Sequence, residues 1–236
     1  DAVRVNGADL RAKVVGEGGN LGMTQLGRVE YALHGGSSNT DFIDNAGGVD
    51  CSDHEVNIKI LLNEVVSAGD MTAKQRDQLL FEMTDAVAEL VLQNNYKQTQ
   101  ALSQAQHRSR ERAAEYVRLI NALEAAGQLD RALEFLPSDD ALTERASIGK
   151  GLTRPELSVL ISYSKIELKK ALLDSRVPDD DYLAREMESA FPQQLSERFH
   201  DAMLQHRLKR EIVATQIAND LVNNMGITFV QRLNEA

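Results

Sequence analysis

Residues 58–69 read IKILLNEVVSAG, and this stretch decides the fold class of the chain. Its apolar side chains recur at positions i, i+3, i+4 and i+7, namely Ile58, Leu61, Leu62 and Val65. This spacing places them along one face of an α-helix. Gly69 follows the last apolar position and predicts the end of the helix. The stretch therefore predicts a long amphipathic helix packed against a core.

The same period continues through most of the later chain. Further stripes at helical spacing comprise Leu80, Met83, Val87, Leu90 and Val91, then Val117, Ile120 and Leu123, then Leu157, Leu160, Ile161, Ser164, Leu168 and Leu172, and finally Ile212, Ile217, Leu221 and Met225. Start and stop signals separate the stripes: the capping boxes Thr72 with Gln75 and Thr153 with Glu156, and the breakers Gly69, Gly127, Pro137 and Pro178. The later chain is predicted to be all-helical.

Residues 1–50 differ in composition, because ten of the fifteen glycines lie there. Residues 12–16 and 40–44 are short β-prone runs, and each precedes a polar, glycine-rich turn. Such strand ends are typical of the ligand-binding edge of an open α/β sheet. Two strands do not make a stable sheet, so further strands are expected upstream. The sequence predicts a mainly α chain. A short α/β remnant of a Rossmann-like nucleotide-binding domain covers residues 1–70, and an all-helical domain covers residues 71–236.

Charge and cysteine content narrow the class of protein. The net charge of −10 disfavours nucleic acid and anionic membranes as partners, because both require clustered positive charge. A lone cysteine, Cys51, excludes an internal disulfide framework and fits a reducing cytoplasm. The opening DAVRVNGADL has neither the basic start nor the apolar core of a signal peptide. We therefore expect a cytoplasmic protein whose chain extends upstream of Asp1.

The first candidate site is the turn Val15-Gly16-Glu17-Gly18-Gly19-Asn20. Gly18 and Gly19 would let the backbone approach a bound cofactor, and the Asn20 amide could donate or accept a hydrogen bond. A plain β-turn explains the same residues. The spacing is not that of the G-x-G-x-x-G dinucleotide fingerprint.

The second candidate site is the stretch from Asn45 to Glu55, which joins the second predicted strand to a helix. Ser52 and Glu55 match a capping box and predict that the helix begins near Asp53. A helix N-terminus with a hydroxyl group also favours an anion, such as a substrate carboxylate. The capping role and the binding role of Ser52 are compatible.

Other polar residues give weaker signals. Cys51 and His54 are three residues apart with no third partner, which argues against a nucleophile–base pair. His200 and His206 are six apart and fall on different faces of a helix, so structural roles are favoured over metal ligation. Gly149-Lys150-Gly151 lacks the spacing of a phosphate-binding P-loop.

Together, the two candidate sites resemble the glutamate dehydrogenase family. The resemblance rests on Glu17-Gly18-Gly19-Asn20, on Asn45-Ala46-Gly47-Gly48-Val49, and on Ser52 followed by Glu55. Residues 35–62, 119–123 and 154–158 are similar to a narrower group, the large bacterial NAD-specific enzymes. This sequence departs from that of the small enzymes of the family at three places. They have alanine at the position of Gly19 and a proline-containing turn at residues 21–24. They also have apolar and aromatic residues around the position of Ser52.

The resemblance implies roles for individual residues. It places Gly18, Gly19, Asn20 and Asn45 at the cofactor, with the two asparagines at the nicotinamide end of NAD. It makes Ser52 the residue that binds the side-chain carboxylate of glutamate. The catalytic lysine and aspartate of the family, and its glycine fingerprint, are expected upstream of Asp1.

The whole protein is therefore expected to oxidise L-glutamate with NAD to 2-oxoglutarate, ammonia and NADH, as a cytoplasmic homo-oligomer without nucleic-acid or membrane partners. The 236-residue chain alone is expected to be inactive, because hydride transfer needs cofactor and substrate held together. The alternative is a helical interaction or regulatory module whose leading turns are only structural.

Overall fold

The computed structural model describes residues 4–235, which are mainly helical. The α-helices are α1 (Gln25–Leu33), α2 (Asp41–Asp44), α3 (Ala46–Ala68), α4 (Ala73–Glu82), α5 (Thr84–Arg108), α6 (Ala113–Ala125), α7 (Asp139–Ser147), α8 (Arg154–Leu173), α9 (Glu186–Ser189), α10 (Gln193–Leu204), α11 (Lys209–Met225) and α12 (Phe229–Asn234). Short 3-10 helices lie at Gly7–Asp9, Val177–Asp179 and Leu183–Arg185.

The local signals at the end of α3 and at the start of α4 act as the sequence predicts. Leu61 and Leu62 are fully buried in the core. Gly69 takes a φ of +87°, a left-handed conformation that ends α3 without the steric cost of a side chain. Thr72 then begins α4, because its hydroxyl accepts from the Gln75 N–H while the Gln75 side chain accepts from the Thr72 N–H. The predicted stop and the predicted capping box are both confirmed.

The predicted strand over residues 40–44 is wrong, because Asp41–Asp44 forms the helical turn α2. β-branched and aromatic residues favoured a strand, but the Asp44 N–H donates to the Thr40 carbonyl and the Asn45 N–H to the Asp41 carbonyl, which are helical hydrogen bonds. The capping residue Thr40 is extended, and Asp41 and Asp44 lie in the first turn, where acidic side chains suit the positive end of a helix. The short element follows these end effects rather than β-propensity.

The predicted strand over residues 12–16 is reduced to one β-bridge. Val14 pairs in parallel with Ser37, through hydrogen bonds from the Val15 N–H to the Ser37 carbonyl and from the Ser37 N–H to the Lys13 carbonyl. No ladder of strands forms within residues 4–235. The helical prediction is thus confirmed, whereas the Rossmann-like remnant is not.

The chain divides into two compact units. Unit 1 contains the residues up to Asn45, residues 98–166 and those from 221 onward, and unit 2 contains residues 46–97 and 167–220. The core of unit 2 is formed by apolar residues of the helices α3, α4, α10 and α11, including Ile58, Leu61, Leu62, Val65, Leu79, Leu195, Met203 and Val213. In unit 1, the buried side chains include Leu119, Ile120, Leu157 and Leu160. The predicted domain boundary after residue 70 stays a prediction.

None of the helices described is both long enough and apolar enough to cross a membrane.

Candidate cofactor and substrate residues

The loop of residues 17–23, called here the Glu17 loop, is built around a buried ion pair. Arg28 of α1 donates from Nε and Nη2 to the two carboxylate oxygens of Glu17, over 2.6 and 3.0 Å. The Glu17 carboxylate also accepts from the Met23 N–H at 2.9 Å, which folds the loop back on itself. Both charged residues are buried, with exposed fractions of 8% for Glu17 and 3% for Arg28. Bidentate pairing of this kind offsets the cost of burying the charges.

The electrostatics of the Arg28 side chain favour its charged form. Burial lowers the pKa of the Arg28 guanidinium, but the hydrogen bonds and charge of Glu17, together with the charges of Asp41 and Asp44, outweigh it and raise the pKa. The Arg28 guanidinium therefore stays charged beside the Glu17 carboxylate.

Two carboxylates of α2 hold the Glu17 loop from outside, and they are called here the aspartate clamp. Asp44 Oδ2 accepts from the Glu17 N–H at 2.8 Å, and Asp41 Oδ2 accepts from the Leu21 N–H at 3.0 Å. Residues three apart share a face of a helix, whereas in a strand they would point to opposite sides. The helical form of α2 thus allows both carboxylates to reach one loop. Leu21 has a φ of +60°, so the clamp also secures a strained turn.

Asn20 and Asn45, called here the asparagine pair, are in direct contact. The Asn45 Nδ2 group donates to Asn20 Oδ1 at 2.9 Å. Asn20 is exposed at the tip of the Glu17 loop, and half-buried Asn45 directly follows α2. Two residues that the sequence singled out separately are therefore brought together within unit 1.

The contact leaves a defined set of hydrogen-bonding groups open. Asn45 uses an amide N–H, so its Oδ1 remains an acceptor, and Asn20 uses its oxygen, so its Nδ2 remains a donor. Within residues 4–235, neither Asn45 Oδ1 nor Asn20 Nδ2 makes a side-chain hydrogen bond. One acceptor beside one donor is the complement of a primary carboxamide, which offers one N–H donor and one carbonyl acceptor.

The glycines of the Glu17 loop face open space. A Cβ atom added at Gly18 or Gly19 would meet no described atom within 4 Å, and neither glycine has a positive φ. The chain's own packing and backbone conformation therefore do not require glycine at these positions. A group approaching from outside would find bare backbone there.

The predicted helix start at Ser52 is wrong. Helix α3 begins at Ala46, so Ser52 is its seventh residue and caps nothing. The Ser52 hydroxyl donates to the Gly48 carbonyl at 3.2 Å, one turn earlier in the same helix. Glu55 forms an ion pair with Lys59 instead of completing a capping box. The argument for an anion at a helix terminus therefore does not apply to Ser52.

Ser52 nevertheless lies on an open face of α3. Val49, Ser52 and Val56 are spaced i, i+3 and i+7, which aligns them along one side of the helix. Val49 and Val56 have exposed fractions of 60% and 53%. Ser52 therefore presents an exposed hydroxyl between two exposed apolar side chains.

The remaining candidates have structural surroundings. Cys51 is exposed, whereas His54 is buried with Nδ1 3.0 Å from the Ala190 carbonyl, so the two do not form a nucleophile–base pair. His206 is buried, with Nε2 3.1 Å from the Asn57 carbonyl and Nδ1 accepting from the Leu208 N–H. The described residues include no cluster of three or more side chains suited to a metal ion.

The sequence interpretation missed the residues that shape the site. Arg28, Asp41 and Asp44 were not singled out, although they fix the backbone of the Glu17 loop. The spacing of Asp41 and Asp44 was a usable signal, because acids three apart beside a threonine cap are typical of the first turn of a helix.

Comparison with known families identifies the chain. The family model for the catalytic domain of bacterial NAD-glutamate dehydrogenase matches residues 1–105, and the model for the C-terminal region of glutamate dehydrogenase matches residues 149–236. The chain belongs to the bacterial NAD-glutamate dehydrogenase family.

Curated relatives match along the whole chain. It is 77% identical over 236 residues to an NAD-specific glutamate dehydrogenase of Pseudomonas aeruginosa and 62% identical over 236 residues to one of Halomonas elongata. It is 47% identical over 235 residues to one of Mycobacterium tuberculosis. These matches cover 100% of the chain but only 15%, 15% and 14% of the respective relatives. The chain therefore corresponds to a small part of much longer proteins.

Proposed function

We propose that the whole protein containing this chain oxidises L-glutamate with NAD and water, yielding 2-oxoglutarate, ammonium, NADH and a proton. NAD, when bound, takes up the hydride that leaves the substrate carbon. This chain contributes the asparagine pair to the nicotinamide end of the cofactor and Ser52 to the substrate. The relatives named as NAD-specific glutamate dehydrogenases support the reaction and the cofactor.

The asparagine pair is the observation that carries the proposal. The free acceptor of Asn45 and the free donor of Asn20 match the carboxamide of nicotinamide group for group. The open backbone at Gly18 gives room for the cofactor beside them. Each neutral hydrogen bond is worth about 0.5–1.5 kcal/mol, or roughly 2- to 12-fold in affinity.

An NAD analogue tests the assignment at the level of single atoms. In 3-acetylpyridine adenine dinucleotide, a methyl group replaces the carboxamide NH₂, while the carbonyl is kept. We expect the whole protein to show a lower KM for NAD than for the analogue. Asn45→Ala should abolish that preference, because Asn45 Oδ1 is the acceptor for the missing NH₂. Asn20→Ala should raise both KM values and keep the preference, because its partner carbonyl is present in both.

Two outcomes would contradict the assignment. An equal preference for NAD in the wild type and in Asn45→Ala would show that Asn45 does not contact the carboxamide. A lowered melting temperature with unchanged kinetic constants would reduce the asparagine pair to a structural contact. Failure of the wild-type protein to form NADH from glutamate and NAD would instead overturn the reaction itself.

Further parts of the proposal concern the protein's setting. We infer a cytoplasmic homo-oligomer, and the isolated 236-residue chain is expected to form no NADH from glutamate and NAD. A purely structural or regulatory module is the competing class. NADH formation that depends on Asn45 in the whole protein separates the two.

A further inference from the structure

The start of α8 is tied to the Glu17 loop by a chain of hydrogen bonds within unit 1. Arg154, the first residue of α8, donates from Nε to Asn39 Oδ1. Asn39 Nδ2 donates to Asp44 Oδ1 at 2.7 Å. Asp44 Oδ2 accepts from the Glu17 N–H at 2.8 Å. Arg154 is thus connected through two side chains to the first peptide of the loop.

The guanidinium of Arg154 determines which way the Asn39 amide faces. An arginine offers only donors, so it must meet the amide oxygen of Asn39, which leaves the NH₂ group for the Asp44 carboxylate. A flipped amide would present its oxygen to Asp44 and lose that bond. Arg154 therefore sets the orientation of Asn39, and Asn39 in turn holds the Asp44 half of the aspartate clamp.

A second route from the same turn ends on the side chain of Glu17. The carbonyl of Pro155 accepts from Gln25 Nε2 at 3.2 Å, and Gln25 Oε1 accepts from Arg28 Nη1 at 3.3 Å. Arg28 then forms the buried ion pair with Glu17. One route thus holds the backbone of Glu17, and the other holds its carboxylate.

The other two contacts of Arg154 fix the guanidinium in place. Nη1 donates to the Ser103 hydroxyl at 2.9 Å, and Nη2 donates to the Thr99 carbonyl at 3.0 Å. With both nitrogens held by α5, the remaining Nε–H has one direction available, toward Asn39. Charge complementarity with Asp44 favours the same placement.

We propose that Arg154 is a positioning residue for cofactor binding, acting on the Glu17 loop through Asn39 and Asp44. The inference rests on the proposed function, because it takes Asn20 at the tip of that loop as a nicotinamide contact. Arg154 lies in the segment matched by the C-terminal family model, whereas the loop lies in the segment matched by the catalytic model. A residue of the C-terminal region thereby acts on the cofactor site.

The test compares variants of the whole protein in steady-state kinetics and in equilibrium binding of NADH, followed by the change in NADH fluorescence. Arg154→Ala and Asn39→Ala should each raise the KM for NAD and the Kd for NADH by roughly 3- to 10-fold, as for the loss of one well-placed neutral hydrogen bond. The KM for glutamate should stay within about twofold of wild type. Arg154→Lys keeps the charge without the fork and should fall between Arg154→Ala and wild type.

Two further variants separate positioning from general stability. Ser162→Ala removes a hydroxyl that donates to the Ser158 carbonyl at 3.2 Å within α8 and belongs to neither route, so it should leave both constants for the cofactor within about twofold of wild type. The double variant Arg154→Ala with Asn39→Ala should be no worse than the worse single variant, because both changes break the same route.

Additive effects in the double variant would overturn the inference, as would an equal rise in the KM for NAD and for glutamate. A KM for NAD and a Kd for NADH within about twofold of wild type in Asn39→Ala would overturn it even if Arg154→Ala failed to fold. If wild-type protein neither forms NADH from glutamate and NAD nor binds NADH, the proposed function fails, and the inference fails with it. If the wild type is active and the Arg154 and Asn39 variants keep its constants for the cofactor, the inference fails while the proposed function stands.

Discussion

Arg28 and Glu17 form a two-bond ion pair that is almost completely buried, at 2.6 and 3.0 Å. Removal of one partner leaves a buried charge without compensation, which typically costs about 3–5 kcal/mol. Arg28→Leu in the whole protein should therefore expose the amides of residues 17–33 to rapid hydrogen–deuterium exchange. Arg76→Ala serves as the control, because the Arg76–Asp77 pair lies at the surface and should contribute less than about 1 kcal/mol. Equal, small changes in exchange around both sites would contradict this expectation.

Gly19→Ala should be tolerated. The alanine methyl group would meet no described atom within 4 Å, and the backbone at this position does not need a left-handed conformation. The family resemblance also puts alanine there in the small enzymes. We expect the KM for NAD to stay within about twofold of wild type. Gly36→Ala is the contrasting variant, because its Cβ would lie 2.2 Å from the Tyr31 ring and must displace it. A loss of NAD affinity in Gly19→Ala would show that the cofactor packs against this Cα.

Ser52→Ala tests the substrate role of Ser52 with little effect on stability, because Ser52 is not a helix cap. Ser52 is exposed within α3, and among residues 4–235 its hydroxyl bonds only to the Gly48 carbonyl, so its loss should change the free energy of unfolding by less than about 0.5 kcal/mol. A hydrogen bond to a charged carboxylate is worth about 1.5–3 kcal/mol, which corresponds to a rise of roughly 10- to 150-fold in the KM for glutamate. Ser67→Ala, which removes an equivalent helix-internal bond to Asn63, is the matched control. An unchanged KM for glutamate in Ser52→Ala would remove the substrate role.

Alkaline pH should destabilise unit 1 through two tyrosines. Burial raises the pKa of Tyr116 to about 12, and a hydrogen bond to Glu134, aided by burial, raises the pKa of Tyr163 to about 12. An unfolded tyrosine loses its proton near pH 10. Between about pH 10 and pH 12 the folded state thus keeps a proton that the unfolded state has lost, so stability falls as the pH rises.

Tyr116→Phe checks this dependence, since phenylalanine does not titrate. For Tyr116 alone, a shift of about two units corresponds to roughly 2–3 kcal/mol lost by pH 12. Hydrogen exchange of α6 should therefore accelerate less between pH 10 and 12 in the variant than in the wild type, once the intrinsic rate is corrected. Identical pH profiles would show that the Tyr116 hydroxyl is not protected in the folded state.

The helical part was predictable because its signals are local and agree with one another. Residues 58–65 carry a regular stripe, Gly69 ends it, and Thr72 with Gln75 begins the next helix, so each signal predicts the same boundary. The apolar stripe of α8 likewise identified buried Leu157 and Leu160.

The start of α3 could not be predicted in the same way. Ala46-Gly47-Gly48 is a poor helical sequence by propensity and resembles a turn. Within unit 2, a Cβ atom at Gly47 would lie 3.6 Å from the Asn95 side chain and 3.8 Å from Val91, which are ordinary packing distances, so this end of α3 packs against α5. A tertiary contact, distant in sequence, thus overrides a local preference and moves the helix start from near Asp53 to Ala46.

The sequence pointed to the two asparagines of the candidate site, but not to the arginines that hold the surrounding loop in place. The resemblance to the glutamate dehydrogenase family pointed to both Asn20 and Asn45, and the two side chains are in contact at 2.9 Å, while their role at the cofactor stays a prediction. Arg28 and Arg154 lie on other elements, and only the folded chain brings them to Glu17 and Asn39. Long-range ion pairs and side-chain relays leave no periodic pattern that a single sequence can display.

Because the aspartate clamp depends on the helical turn α2, this stretch has a fixed length. One residue inserted between Asp41 and Asp44 would rotate the second carboxylate by about 100° around the helix and shift it along the axis, away from the Glu17 N–H. Substitutions at Phe42, which is exposed, leave that geometry intact. The turn α2 should therefore tolerate substitution at its exposed position, but not the insertion or deletion of a residue. Length variation, which surface segments usually accommodate, is excluded here by the spacing of two carboxylates.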